Sequence, residues 1–212
     1  MRKLVSNTFL TVDGVMQAPG APEEDRSGGF EHGGWSAGYW DDRMNEEMTR
    51  FMGRPFDMLL GRKTYEIFAA YWPHSTEPGA EQLNAARKHV ASRTLKSVDW
   101  NNSTLIKGDV ATYVADLKKG SGPEIQVHGS GDLIQTLLRN DLLDELHLWT
   151  FPVVLGTGKR LFAGGATPAG LKAVDIKTSG TGVVMATYER AGAIKYGSLA
   201  SPEPSEAETA RR

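Results

Sequence analysis

The chain reads as an α/β fold: a mainly parallel central sheet flanked by helices, with an antiparallel hairpin added at its C-terminal edge. Three observations carry this reading. Short apolar runs alternate with stretches of helical periodicity through the middle of the sequence. Two of the strand-to-helix crossings turn on glycine, at Gly61 and at Gly129-Ser130-Gly131. The last two runs, residues 171–177 and 183–189, alternate in character around Ser179-Gly180-Thr181-Gly182, the pattern of a hairpin.

Residues 4–12 form the first expected strand, which ends in Asp13-Gly14, where glycine permits a sharp change of direction. A long loop follows over residues 16–39. It carries Pro19, Gly20, Pro22, Gly28 and Gly29 without periodicity, and it closes on Trp35, Tyr39 and Trp40. A loop of this length in a compact domain is functional or disordered. Its aromatics either cover a flat ring by stacking or anchor the loop to the core. Residues 41–52 read as a helix with Asp41 or Asp42 as N-cap, and Met44, Met48, Phe51 and Met52 give it one apolar stripe.

A short strand over 58–60 stops at Gly61, and Arg62, Lys63 and Thr64 open a helix bearing Tyr65, Ile67 and Phe68. The two cations and the hydroxyl suit a phosphate; the alternative is a solvated basic pair. Trp72-Pro73 ends that helix, and 77–86 is a polar connection with one helical turn. Residues 88–92 form a strand whose end carries Ser92 and Arg93, a hydroxyl and a guanidinium suited to a ribose 2′-phosphate. A strand at 104–106 and a helix marked by Val110, Val114 and Leu117 lead to Gly120.

Residues 124–128 are a buried strand through Ile125 and Val127, and beyond the Gly129-Ser130-Gly131 turn Leu133, Ile134, Leu137 and Leu138 recur at helical spacing. The first N–H groups of such a helix, with its dipole, favour an anion; a tight turn without ligand is the alternative. The turn is not a Rossmann fingerprint, because Ile134 holds the third glycine position and Trp149 lies where the ribose-binding acid belongs. Residues 145–154 are strand-like up to Pro152, which marks a bend or an edge. The glycine-rich turn over 155–162 is not a Walker loop, since Val153 and Arg160 occupy two of its defining positions. The domain is thus expected over 1–190, and the small, charged and proline residues of 191–212 read as a disordered tail.

Composition narrows the function classes. The 212 residues are 40% hydrophobic and 24% charged, which suits one globular domain. A net charge of −2 supplies no basic field for nucleic acid or an anionic membrane, and no apolar run approaches a membrane span. With no leader-like N-terminus, a cytoplasmic protein is expected. The absence of cysteine excludes disulfides, thiolate metal sites and cysteine nucleophiles. His32, His74, His89, His128 and His147 share no ligand spacing and read as scattered structural histidines, so no metal is expected. No Gly-x-Ser-x-Gly elbow is present either.

The order of short motifs is more specific than any one of them. Thr11-Val12-Asp13-Gly14, Leu59-Leu60-Gly61-Arg62-Lys63-Thr64-Tyr65, Ser92-Arg93-Thr94, Gly129-Ser130-Gly131, Pro152-Val153-Val154-Leu155-Gly156-Thr157-Gly158 and Leu161-Phe162 follow one another along residues 2–190. In this the chain resembles the dihydrofolate reductase superfamily, and within it the reductase domain of the bifunctional riboflavin-biosynthesis deaminase-reductase and its stand-alone relatives. The resemblance implies NADPH as cofactor. Its pyrophosphate would lie at Gly61, Arg62, Lys63, Thr64, Gly129, Ser130, Gly131 and Asp132 and its 2′-phosphate at Ser92 and Arg93, and Gly14 is a further expected cofactor contact. The carboxylate that fixes the pterin in dihydrofolate reductases falls, by spacing back from Gly61, near Met44 or Asn45, with Asp41, Asp42 and Glu46 as neighbours. The zinc deaminase half of the bifunctional enzymes needs cysteines that this chain lacks.

The expected activity is hydride transfer from NADPH to a C=N or C=O group of a small heterocyclic or sugar-derived substrate. Pterin reduction and a nucleotide-binding module without turnover are the alternatives. Asp13 is a polar group for the nicotinamide and a proton relay, or a structural turn residue; Asp42 is a second candidate acid, or a helix cap. Trp40, Tyr65, Phe68 and Phe151 are expected to wall the substrate pocket, each with core packing as its other reading. A phosphorylated pyrimidine substrate would need a further basic pocket, for which Lys159 and Arg160 are available. The resemblance also implies a homodimer, formed through residues 156–162 or the edge hairpin.

Overall fold

In the computed structural model, which describes residues 1–164, 166–199 and 205–211, eight strands form one sheet. They are β1 (Leu4–Thr11), β2 (Phe56–Gly61), β3 (Lys88–Ala91), β4 (Ser103–Leu105), β5 (Glu124–His128), β6 (Glu145–Phe151), β7 (Leu171–Thr178) and β8 (Val184–Arg190). Their order is β4-β3-β2-β5-β1-β6-β8-β7. The six strands from β4 to β6 are parallel, and β8 runs antiparallel to both β6 and β7. The expected parallel sheet with an antiparallel edge is therefore the architecture observed.

The helices are α1 (Asp42–Met52), α2 (Arg62–Tyr71), α3 (Ala80–Ala85), α4 (Val110–Lys119), α5 (Gly131–Arg139) and α6 (Glu206–Arg211). Strand alternation sorts them to the two faces. Ile125 and Val127 of β5, with Leu4, Leu10, Leu59, Leu146 and Leu148, face α4 and α5 and bury Val114, Leu133, Ile134, Leu137 and Leu138. On the other face Met44 of α1 packs with Trp149, Phe151, Val183 and Met185 over β6 and β8. Tyr65 of α2 and Leu83 of α3 pack there with Phe56, Met58, Leu60 and Val90 over β2 and β3. Helices α1 and α2 thus stand on either side of β5. Of the tail over 191–212, residues 200–204 and 212 lie outside the described residues, so the expectation of disorder there is left as it stands; α6 occupies six residues of the rest.

The long loop over 16–39 is held by its own polar groups. Gln17 donates to the carbonyls of Asp25 and Ser27, Trp35 Nε1 to Gln17, and the Ser36 hydroxyl to Pro19. Two short 3-10 turns, Ser27–Gly29 and Ala37–Tyr39, punctuate it. Its aromatics anchor it: Trp35 and Tyr39 meet the ring of Phe151 edge-on at 5.2 and 6.0 Å. Lys159 Nζ reaches Asp25 Oδ2 at 2.7 Å and the Ser27 hydroxyl at 2.7 Å, tying the loop to the turn after β6. Burial works against the Asp25 charge, but Lys159 and Ser27 outweigh it and keep the carboxylate below its usual pKa.

Candidate active site

Parallel strands bring their C-terminal ends to one edge of the sheet, where open α/β folds bind ligands. Here the edge carries Arg93 after β3, Gly61 after β2, Gly129 after β5 and Asp13 after β1. Four segments far apart in sequence therefore end at this edge. The contact between two of them is specific: the Ser130 hydroxyl accepts from the Gly61 N–H at 2.9 Å and donates to Thr64 Oγ1 at 2.8 Å. One side chain thus clamps the two strand-glycine-helix junctions together.

The junctions leave their helix starts open. No side chain caps α2 or α5, whereas Asp41 caps α1 and Asp109 caps α4. The first N–H groups of two adjacent helices are thus free to meet an anion. The turn before α5 is strained for this geometry, since Gly129 and Ser130 have φ of +62° and +66°, and the latter is rare outside glycine. A Cβ on Gly131 would come within 3.0 Å of Met16 Sδ, so the start of the long loop lies directly against the glycines. Thr64, Gly61, Gly129, Ser130 and Gly131 come together as a cradle. Arg62 and Lys63 stand exposed on the first turn of α2, the former paired with Glu66 at 3.0 Å and the latter 3.8 Å from Asp25. Asp132 is exposed on the first turn of α5, and Arg93 is exposed past β3. The Ser92 hydroxyl accepts from the N–H groups of Thr94 and Leu95, so it caps its own turn. Gly14, at φ +80°, serves the hairpin-like reversal after β1 and lies in open space.

Several expected roles do not survive the geometry. Asp13 accepts first from the Thr11 hydroxyl at 2.6 Å, then from the N–H groups of Gly156 and Leu155 and from Arg160, and these hold its carboxyl well below the usual carboxylate range. Such a group stays ionised and donates no proton near neutrality; it staples the turn after β1 to the turn after β6. Asp42 is not the cap, which is Asp41, and it points to solvent at the start of α1. At the position of the pterin-binding carboxylate, Met44 is fully buried and Asn45 accepts from Trp40 Nε1 at 2.6 Å. Phe151 is fully buried beneath Phe9, Trp35 and Tyr39, and Tyr65 is buried with its hydroxyl accepting from Trp100 N–H at 3.0 Å; both side chains are core. Trp40 and Phe68 keep partial exposure, Trp40 against Phe9 and Trp149, Phe68 against His128. Lys159 and Arg160, reserved for a substrate phosphate, are engaged by Asp25 and Asp13.

The residue that sequence reasoning passed over is His128. It ends β5 between α1 and α2, ringed by Phe51 of α1, Phe56 of β2 and Phe68 of α2 at 5.8 to 6.2 Å. Burial pushes its pKa down to about 4, so the imidazole is neutral at pH 7. Its place immediately before Gly129 was the available signal. A cleft of about 770 Å³, lined by Tyr65, Leu95, Lys96 and Trp100 among others, includes none of the glycine junctions.

A family model for the RibD C-terminal domain matches residues 2–185. The chain belongs to the RibD C-terminal domain family. The uncharacterized protein YyaP of Bacillus subtilis (strain 168) is 34% identical over 145 residues, covering 66% of this chain and 77% of that protein. A protein of Shewanella sp. PV-4 named for riboflavin biosynthesis superposes with a TM-score of 0.69 at 22% identity, over 90% of this chain and 99% of the other. Dihydrofolate reductase of Enterococcus faecalis, in complex with NADP(H), superposes with a TM-score of 0.57 at 14% identity, over 89% of this chain and 96% of the other. At these identities the two structures establish a shared dihydrofolate reductase-like fold.

Proposed function

We propose that this RibD C-terminal domain protein is an NADPH-dependent reductase that transfers a hydride to a C=N or C=O group of a small heterocyclic or sugar-derived substrate. The observation that carries the reading is the pair of uncapped helix starts, α2 and α5, clamped side by side by Ser130 at the ligand-binding edge of the sheet. The backbone N–H groups there, with Thr64, Arg62 and Lys63, suit the pyrophosphate, and Arg93 suits the 2′-phosphate. When bound, NADPH supplies the hydride; the chain's own residues hold it, orient the substrate and limit water. Trp40 and Phe68 border the place where the substrate ring would lie.

A neutral rather than a phosphorylated substrate fits the structure better, because Lys159 and Arg160 are spent on Asp25 and Asp13. This favours a diverged reductase over the phosphoribosyl-pyrimidine reduction of riboflavin synthesis. The absence of a carboxylate at Met44 and Asn45 likewise disfavours pterin reduction by an α1 acid. It also supports a second reading, a nucleotide-binding module without turnover. A homodimer through the edge hairpin or through residues 156–162 is part of the same proposal.

The test is a calorimetric titration of the purified protein with NADPH and with NADH, repeated on Ser130→Ala and Arg93→Ala. NADPH is expected to bind in preference to NADH. Ser130→Ala is expected to weaken both by about tenfold, the equivalent of about 1.4 kcal/mol, and Arg93→Ala to erase the preference alone. Failure of the wild type to bind either nucleotide would remove the proposal. Tight binding with no oxidation across a panel of unsaturated heterocycles would select the non-catalytic reading.

A further inference from the structure

The starts of the parallel strands carry a second cluster of titratable side chains, at the end of the sheet opposite the glycine junctions. Arg2, just ahead of β1, meets Asp57 Oδ2 of β2 through Nη2 at 2.5 Å, and its Nε donates to the Pro123 carbonyl at 2.7 Å. Its backbone N–H donates to the Lys118 carbonyl of α4 at 2.7 Å. Both members of the ion pair are nearly sealed, Arg2 at 8% and Asp57 at 3% exposure. Breaking such a pair is costly, because the charge left behind stays buried and unanswered. Asp57 therefore fastens the segment before β1 to the sheet.

A third group is aimed at the same carboxylate oxygen. Buried His89 of β3 lies with Nε2 3.8 Å from Asp57 Oδ2, and that nitrogen has no hydrogen-bond partner among the described residues. The separation is too long for a hydrogen bond. On its other side Nδ1 stands 2.8 Å from the Tyr113 hydroxyl of α4. A bare Nε2 lone pair facing a carboxylate would be repelled, so the hydrogen sits on Nε2 and Tyr113 donates to Nδ1. The remaining charges that act on the ring are the guanidinium groups of Arg2 and Arg87; Lys118 of α4 is turned away, to Asp144 and the Leu142 carbonyl. Burial, helped by Arg2 and Arg87, outweighs the pull of Asp57 and holds the imidazole pKa below its ordinary value, so the ring is neutral at pH 7.

One buried carboxylate cannot neutralise two cations. While His89 is neutral, Asp57 balances Arg2; once the ring gains a proton, the cluster carries a net positive charge in a site sealed from water. Arg2 precedes the ladder of β1 and reaches solvent by fraying of one short segment, whereas His89 is held in a strand between β2 and β4. We propose that acidification passes Asp57 from Arg2 to His89, so that protonation of the buried imidazole releases residues 1–3 from the sheet. The coupling is reciprocal. Release of Arg2 removes a cation from beside the ring and frees an acceptor for Nε2–H, so the released form binds the proton more tightly by the same factor. The neutral ring's contribution to stability is complete above its unfolded pKa of about 6.5 and is lost as pH falls from there toward the lower folded value. None of this depends on the reductase reading, since the cluster lies at the far end of the sheet.

The test follows the full chain by NMR from about pH 7.5 down to about pH 4.5, a range that spans histidine titration. It records the His89 imidazole, the Arg2 Nε–H, and the exchange protection of the Arg2 and Ile125 amides, which bond the Lys118 and Lys3 carbonyls. In the wild type the Arg2 Nε–H is expected to lose protection with the midpoint of the His89 titration, and protection at the two amides to fall at least fivefold. In His89→Gln both amides are expected to stay within twofold across the range. Tyr113→Phe removes the oxygen that would accept from a protonated Nδ1; it is expected to move both midpoints to lower pH together, and it serves alone if the glutamine variant does not fold. A ring that stays neutral throughout, or one that titrates with Arg2 undisturbed, would overturn the proposal. So would release of Arg2 at an unchanged midpoint in His89→Gln, or midpoints that part in Tyr113→Phe.

Discussion

Asp13 shows how far a single residue's meaning depends on its neighbours. As a letter after a strand it is a candidate acid; in place it accepts from Thr11, Leu155, Gly156 and Arg160 and is held well below the usual carboxylate range. A carboxylate whose folded pKa is depressed contributes stability that is complete above its unfolded pKa of about 3.9 and is lost as pH falls below it. Asp13→Asn is therefore expected to lower stability near neutrality and to flatten the fall in the urea midpoint between about pH 4 and pH 2. A parallel acid limb in the variant and the wild type would assign that fall elsewhere. His128 is the reverse case. Its spacing to the other four histidines excluded a metal triad, but a burial-neutralised imidazole at a strand end is visible only once Phe51, Phe56 and Phe68 are folded around it.

At the scale of the element, the periodic segments were readable because each buries one face. The stripe of α5 lies fully in the core, and α1 spans the residues its Met44, Met48, Phe51 and Met52 spacing requires. The caps were ambiguous, since Asp41 and Asp42 are equally good cap residues. The choice is made by a neighbouring element: Asp41 Oδ1 accepts from Met44 N–H, while Oδ2 accepts from Gly180 N–H in the β7–β8 turn at 2.7 Å. Asp41→Ala is expected to cost about 1–2 kcal/mol of stability and to speed hydrogen exchange at residues 180–184 as well as in the first turn of α1. Exchange confined to the helix would show that the hairpin does not lean on this carboxylate. Strand β3 carries a similar surprise. Lys88 is fully buried, its ammonium donating to the carbonyls of Asn84, Ala86 and Asn101 and lying 4.1 Å from the Trp100 ring centroid. No periodicity distinguishes such a lysine from a solvated one.

For the whole molecule, the sheet has two edges, β4 and β7. The β7 edge is long, and its hairpin exposes Leu171, Val174, Ile176 and Val184, a surface that invites pairing with another chain. Sedimentation is expected to show a homodimer that Ile176→Lys converts to a monomer without loss of secondary structure; a monomeric wild type would exclude this face as the contact. The alternation of strands, glycine turns and helices was legible through residue 190, because burial on one face or both imposes a period on the residues themselves; helix α6 (Glu206–Arg211), in the stretch read as a tail, was not. Gly61, Thr64 and Ser130, read at two separate junctions, are in hydrogen-bond contact with one another. What tertiary structure alone decided is which side chains meet. The order β3-β2-β5-β1 sets Arg93, Gly61, Gly129 and Asp13 along one edge, Ser130 bridges 66 residues to Thr64, Phe151 and Tyr65 go inward, and Lys159 and Arg160 are consumed by Asp25 and Asp13. Pattern is a property of each segment and survives in the linear chain; pairing depends on strand order and register, which no single segment encodes.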